Sequence, residues 1–238
     1  MSRQLPYGIK IFADGADLEG ILQLSRDPVI SGFTTNPTLM RQSGVDDYAG
    51  FARKVLDHVT DMPISFEVLS DEFDEMGAQA RTIASWGPNV FVKIPVTNTR
   101  GESSAPLIRE LSADGLHLNV TAILALDQVR TVAEALADTP GAVVSVFAGR
   151  IADTGRDPVP LMTEAVGLLA HNPRLELLWA SPREILNVPQ AAAVGCHIIT
   201  VTHALLAKLT GLGRGLEDVS LDTVRMFRDD AVSAGFLL

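Results

Sequence analysis

The chain has 238 residues, 47% of them hydrophobic, with 19 Gly and 13 Pro. That is ample for the packed core of one α/β-barrel domain or of two small domains. A formal charge of −10 argues against a nucleic-acid partner or an anionic-membrane surface, while leaving room for a local basic pocket. The single cysteine, Cys196, excludes an intramolecular disulfide framework and suits a reducing compartment, so a cytoplasmic protein is expected. The opening MSRQLPYGIK lacks the apolar stretch of a signal peptide, and no run reaches transmembrane length.

Apolar runs of strand length recur along the chain. In order they are 8–14 (GIKIFAD), 31–36 (SGFTTN), 63–68 (PISFEV), 90–96 (VFVKIPV), 117–122 (HLNVTA), 142–148 (AVVSVFA), 175–181 (LELLWAS) and 197–202 (HIITVT). Their starts lie 22 to 33 residues apart, room for one strand and one crossover helix each time. The segments between them, such as DEFDEMGAQARTIASW and ALDQVRTVAEALAD, repeat apolar residues at three- and four-residue spacing. No Pro/Gly/Ser-rich linker divides the chain. Eight βα units predict a single parallel (β/α)8 barrel over residues 1–238, with a doubly wound open sheet as the alternative. Residues from about 215 to 238 read as a C-terminal helix ending in the apolar GFLL, able to cap the barrel or to pack on a neighbouring subunit.

Barrel chemistry gathers at the C-terminal ends of the strands, where alternate side chains point inward. Polar residues collect there: Asp14, Thr34 with Asn36, Ser65 with Glu67, Asn119 with Thr121, Ser145 with Phe147 sharing its parity, and Ser181. Each has an ordinary reading of its own. Asp14 and Asn36 suit turns, Thr121 and Ser145 suit strands, and Glu67 suits a solvated strand end. Their combination around one mouth is hard to explain as packing.

Lys93 stands out within FVKIPV. An ammonium is rarely buried among apolar residues unless it is paired or chemically employed; a structural ion pair with Glu67 or Asp14 is the ordinary reading. The functional one is a nucleophile, since burial disfavours the charged form of an amine and a free amine attacks a carbonyl to give a Schiff base. The other lysines are placed elsewhere: Lys54 and Lys208 in helical segments, Lys10 toward the bottom of the first strand. Asp14 and Glu67 are the carboxylates available for proton transfer. Arg150 in FAGRI, with Ser181 and Arg183 in ASPRE at an expected helix start, form a candidate phosphate clamp. Ser181 as N-cap with Glu184 three residues on is the structural alternative. The five histidines form no convincing metal set, Cys196 reads as buried packing, and TGLGRG (210–215) follows a helix rather than a strand.

Taken together, FADGAD (12–17), GFTTNPTLM (32–40), SFEV (65–68), FVKIPVT (91–97), LNVTAI (118–123), VSVFAGRI (144–151) and WASPREI (179–185) resemble the short members of the transaldolase family, which include fructose-6-phosphate aldolase-like proteins. The resemblance implies Lys93 as the Schiff-base lysine and Asp14 as the acid/base at carbon–carbon cleavage. Glu67 and Thr121 would hold the water that shuttles protons. Asn36, Asn119 and Ser145 would bind the dihydroxyacetone portion, with Thr34 and Phe147 beside it, and Arg150, Ser181 and Arg183 would receive the phosphate. It also implies no metal or organic cofactor, sugar-phosphate substrates, carbohydrate metabolism of the pentose phosphate kind, and a homo-oligomer, pentamer or decamer. Glu67 and Phe147 resemble the transferring branch of the family, whose aldolase members tend to have Gln and Tyr there. A transaldolase is therefore expected. The alternatives are a fructose-6-phosphate aldolase-type lyase and a non-catalytic sugar-phosphate-binding barrel.

Overall fold

The computed structural model describes residues 8–236. Most of the opening stretch and the last two leucines of GFLL lie outside the described residues. The chain divides after Leu206 into two compact units.

The first unit is a closed barrel of eight parallel strands in sequence order. Its first half runs β1 (Lys10–Asp14), α1 (Leu18–Leu24), β2 (Ile30–Thr34), α2 (Pro37–Gln42), α3 (Tyr48–Leu56), β3 (Ile64–Glu67), α4 (Phe73–Ala84) and β4 (Val90–Pro95). The second half runs α5 (Ala105–Ala113), β5 (Leu118–Ile123), α6 (Leu126–Ala135), β6 (Ala142–Val146), α7 (Ala148–Ala152), α8 (Val159–Leu169), β7 (Leu175–Trp179), α9 (Asn187–Ala193), β8 (Ile198–Thr202) and α10 (His203–Leu206). The predicted strands are all present, mostly shorter by a residue or two at one end. The open-sheet alternative is excluded because β8 pairs with β1.

Strands rich in Ile, Val and Phe are buried on both faces, as in a parallel sheet covered by helices. Several helix starts are fixed by side chains: Asp17, Asn36 and Asp47 accept from the backbone N–H three residues on. Pro37 follows Asn36 at the first helical position, where its missing N–H costs nothing. Inside the barrel, Phe12, Val143, Leu178, Ala180 and Ile198 form an apolar plug, with Phe91 and Phe147 against it. Gly32 makes room for it, because a Cβ there would stand 2.7 Å from the Phe12 ring. Above the plug the register sets Glu67 beside Lys93, Lys93 beside Asn119, and Asp14 between Thr34 and Thr202. Paired residues share a face, so the polar groups form a layer over an apolar floor.

The second unit is helical: a 3-10 turn at Ala207–Gly211, which includes Lys208, and α11 (Leu216–Ser233). Among the described residues no helix is long and apolar enough to cross a membrane.

Candidate active site

The polar layer is the floor of a cavity of about 520 Å³ at the C-terminal ends of the strands, within the range of small-molecule sites. Lys93, Asp14, Glu67, Thr121, Thr34, Asn36, Asn119, Ser145, Phe147, Arg150 and Ser181 all line it.

Lys93 is 6% exposed. Its Nζ donates to the Thr35 carbonyl at 2.8 Å and stands 3.1 Å from Glu67 Oε2. Its neighbours along the strand are apolar, as expected, but its tip meets two oxygen acceptors, so the apolar setting inferred from FVKIPV applies to the stem and not to the amine. The expected ion pair with Glu67 is present, and it lies inside the cavity. Tyr48 donates to the Glu67 carbonyl at 2.7 Å and packs edge-on against Phe66, which steadies the end of β3.

Asp14 faces Lys93 from β1. Burial pushes its carboxyl up from 3.8, the largest influence on it. Lys93, the hydrogen bond from Thr34 Oγ1 at 2.8 Å, and His203 act against that, while Glu67 adds to it. Thr34 is tied in turn to Thr200 on β8 by a short hydroxyl–hydroxyl contact. On the opposite side Ser145 donates to Asn119 Oδ1 at 2.6 Å, and Asn119 Nδ2 donates to Ser65 Oγ at 2.9 Å. These bonds fix the Asn119 amide between β3 and β6. Thr121 Oγ1 is buried and has no partner among the described residues. Asn36 plays two parts, since it caps α2 through Leu39 N–H at 3.0 Å and also lines the cavity.

The phosphate clamp differs from the expectation. β7 ends at Trp179, Ser181 has φ of +61°, and the next helix begins only at Asn187. Ser181 is therefore not an N-cap, which requires extended backbone, and no helix starts at Arg183. The Asn187 side chain instead accepts from Arg183 N–H at 2.8 Å and Glu184 N–H at 3.1 Å. Arg183 does not line the cavity. Its guanidinium is held by Asp153 and by the Ser181 carbonyl and hydroxyl. Arg150 on α7 does line it, with its guanidinium 5.6 Å from the Phe147 ring centre.

Three polar cavity residues, Thr38, Gln42 and Thr200, were not singled out by the sequence reading. Thr200 shares parity with Ile198 in HIITVT and could have been found by the same rule as Asn119 and Thr121. Gln42, at the end of α2, carries no such signal. Away from the mouth, Lys10 pairs with Glu176 at 2.7 Å at the opposite end of the strands. Cys196 is buried, its thiol pushed up to about 12, and it donates to the Leu177 and Ile198 carbonyls. That is the packing role expected of it.

One amine, two carboxylates and several hydroxyls around one cavity are the groups that imine chemistry requires. The comparisons with known proteins point the same way. The chain matches the family described as transaldolase/fructose-6-phosphate aldolase over residues 11–236. It is 34% identical over 202 residues to a "Probable transaldolase" of Dehalococcoides mccartyi, covering 84% of this chain and 90% of that one. A "Probable transaldolase 2" of Listeria monocytogenes is 34% identical over 202 residues, covering 84% and 88%. Among solved structures, a truncated 3-deoxy-D-arabino-heptulosonate 7-phosphate synthase from Thermotoga maritima aligns with TM-score 0.54 at 14% identity, covering 97% of this chain and 89% of that one. A 2,3-dimethylmalate lyase aligns with TM-score 0.56 at 12% identity, covering 97% and 85%. At that identity the two structures speak for the barrel alone. Sequence match and relatives together place the chain in the transaldolase/fructose-6-phosphate aldolase family.

Proposed function

We propose that the protein is a transaldolase, moving a dihydroxyacetone unit from a ketose phosphate to an aldose phosphate through a Schiff base on Lys93. The observation that carries this is a buried lysine whose Nζ lies 3.1 Å from Glu67 in a cavity that Asp14 and Thr121 also line.

The Lys93 amine adds to the ketose carbonyl and water leaves, giving an imine. Glu67 and the otherwise unpartnered Thr121 hydroxyl hold the water that carries protons in this step. Asp14 then takes the proton of the C4 hydroxyl as the C3–C4 bond breaks. The bonding electrons move onto the imine nitrogen, and an aldehyde phosphate leaves. The enamine attacks the carbonyl carbon of an acceptor aldehyde, Asp14 returns its proton to the new alkoxide, and hydrolysis frees Lys93. Asn36, Asn119, Ser145 and Thr34 hold the dihydroxyacetone hydroxyls. Arg150 and Ser181 receive the phosphate, and Arg183 orients Ser181 from outside the cavity. Lysine is the electron sink, so the scheme calls for no cofactor.

Phe147 supports transfer over simple release, because it gives the mouth an apolar wall where a phenol would bring a proton to the enamine. The reading extends to a cytoplasmic enzyme of the pentose phosphate pathway or a related sugar-phosphate route. It takes the whole chain as one functional barrel whose C-terminal helix packs on a neighbouring subunit in a homo-oligomer.

The test is borohydride reduction in the presence of fructose 6-phosphate, followed by peptide mass mapping. The expected adduct is on Lys93, and Lys93→Met has none. Glyceraldehyde 3-phosphate release should depend on added erythrose 4-phosphate. Equal release without the acceptor would mean an aldolase, and no adduct would mean a binding barrel.

A further inference from the structure

The two oxygens of Asp14 are treated differently by the protein around them. Thr34 Oγ1 donates to Oδ1 at 2.8 Å, whereas Oδ2 has no hydrogen-bond partner among the described residues. Thr34 Oγ1 also meets Thr200 Oγ1. These threonines come from β2 and β8, the two strands that flank β1. Alternate strands of such a barrel contribute to one layer of inward side chains, which is how the two hydroxyls reach each other. Both residues are buried, at 4% and 5% exposure, and both line the substrate cavity. A hydroxyl carries a single proton. Thr34 gives its proton to the Asp14 carboxylate, so the proton between the threonines is that of Thr200. The chain therefore runs from Thr200 to Thr34 to Asp14. In the opposite sense it would end on a Thr200 proton with no acceptor among the described residues.

We propose that Thr200 is a positioning residue for Asp14, acting through Thr34. It fixes the Thr34 hydroxyl as a donor to Oδ1, so that Oδ2 is the oxygen that takes the C4 hydroxyl proton and returns it to the new alkoxide. The inference rests on the acid/base reading of Asp14 given above. A hydroxyl bonded to a carboxylate makes a charge-assisted contact, stronger than a neutral one. A hydroxyl that accepts a proton from a neighbour also donates its own more strongly. Thr34 has two lone pairs; one accepts from Thr200, and the other stays open to a sugar hydroxyl. Without Thr200 the Thr34 hydroxyl is free to turn, and Asp14 loses the bond that sets the plane of its carboxylate. Lys93 is held by other groups, the Thr35 carbonyl and Glu67, which the Thr200 hydroxyl does not touch. The chain thus bears on breaking and making the carbon–carbon bond, and not on forming the imine.

The experiment follows single turnovers of fructose 6-phosphate in wild type, Thr200→Val, Thr200→Ser, Thr34→Val, the double Val variant and Asp14→Asn. Two rates are read: growth of the borohydride-reducible adduct on Lys93, and release of glyceraldehyde 3-phosphate. Thr200→Val should form the adduct at the wild-type rate and release the aldehyde about tenfold more slowly. Thr200→Ser keeps the hydroxyl and should release at close to the wild-type rate. Thr34→Val should slow release by about fiftyfold, and adding Thr200→Val to it should cost nothing more. Thr200→Ala, smaller and equally without the hydroxyl, runs in parallel and replaces Thr200→Val if the added methyl disturbs folding. Wild-type release in the Val and Ala variants would overturn the inference, as would equal losses in Thr200→Val and Thr200→Ser. So would a full tenfold loss from Thr200→Val in the Thr34→Val background, or equal slowing of adduct and release, since a direct contact with the sugar gives both. Asp14→Asn should form the adduct and release no aldehyde. Release by that variant would instead remove the Asp14 reading beneath the inference, and a wild type without adduct would remove the Lys93 reading.

Discussion

Asp14 sits where its own chemistry is costly. Burial raises its carboxyl from 3.8 against the opposing pull of Lys93, Thr34 and His203. Below about pH 4 the folded and unfolded chains both hold the proton. Between that value and the raised folded one, only the folded chain does. Stability therefore falls as pH rises through this window and stays lower above it. Asp14→Asn removes the charge and keeps an oxygen for the Thr34 hydroxyl at 2.8 Å. We expect this variant to melt higher at pH 7 by about 1 kcal/mol, the usual scale of one stabilising substitution. It should lose the advantage below pH 4 and retain trapping at Lys93 while losing carbon–carbon cleavage. Thermal melts at pH 7 and pH 3.5 test it, and equal shifts at both would sink it. The position of Asp14 was legible as a strand end in FAD. Its neighbours across the β1–β8 seam were not, because strand pairing at barrel closure joins residues nearly 190 positions apart.

The elements show where local signals suffice and where they do not. The eight strands were readable because most are short apolar runs spaced by helix-length segments, and the inward parity of Ser65, Glu67, Asn119, Thr121 and Ser145 followed from the period of two. The loop after β7 was misread. S-P-R-E has the spacing of a capping box, but Ser181 takes a left-handed backbone and the Asn187 side chain closes the turn from downstream. A long-range contact decides this: a Cβ on Gly149 would fall on the Ser181 carbonyl oxygen, so α7 and this loop touch backbone to backbone. Glycine is the residue that permits such an approach. Gly149→Ala should cost about 1–3 kcal/mol, as overpacking does. It should also raise KM for the phosphorylated substrate more than it lowers kcat, because Arg150 and Ser181 are both displaced. Denaturant melts and steady-state kinetics check the two parts; a stable variant with unchanged KM would mean that the loop gives way freely.

At the scale of the whole molecule, α11 needs a surface that its own unit lacks. None of its residues is buried. Leu216, Val219, Met226 and Phe227 recur on one side at helical spacing, each at least 40% exposed. An isolated helix of 18 residues is marginal in water even with good helix formers, so an apolar stripe of this size implies a cover. A second copy is the cover proposed above. The chain's net charge of −10 opposes such assembly at low ionic strength, and salt screens that repulsion. Truncation before Gly215 should therefore give a smaller species in sedimentation and scattering. Phe227→Asp should weaken assembly with a salt dependence opposite to that of a simple ion-pair interface. Because Lys93 and its partners all lie before Leu206, the truncated chain should still form the borohydride adduct. A truncated chain of unchanged mass would refute the helix as the assembling element, and loss of the adduct would mean that the helix completes the site.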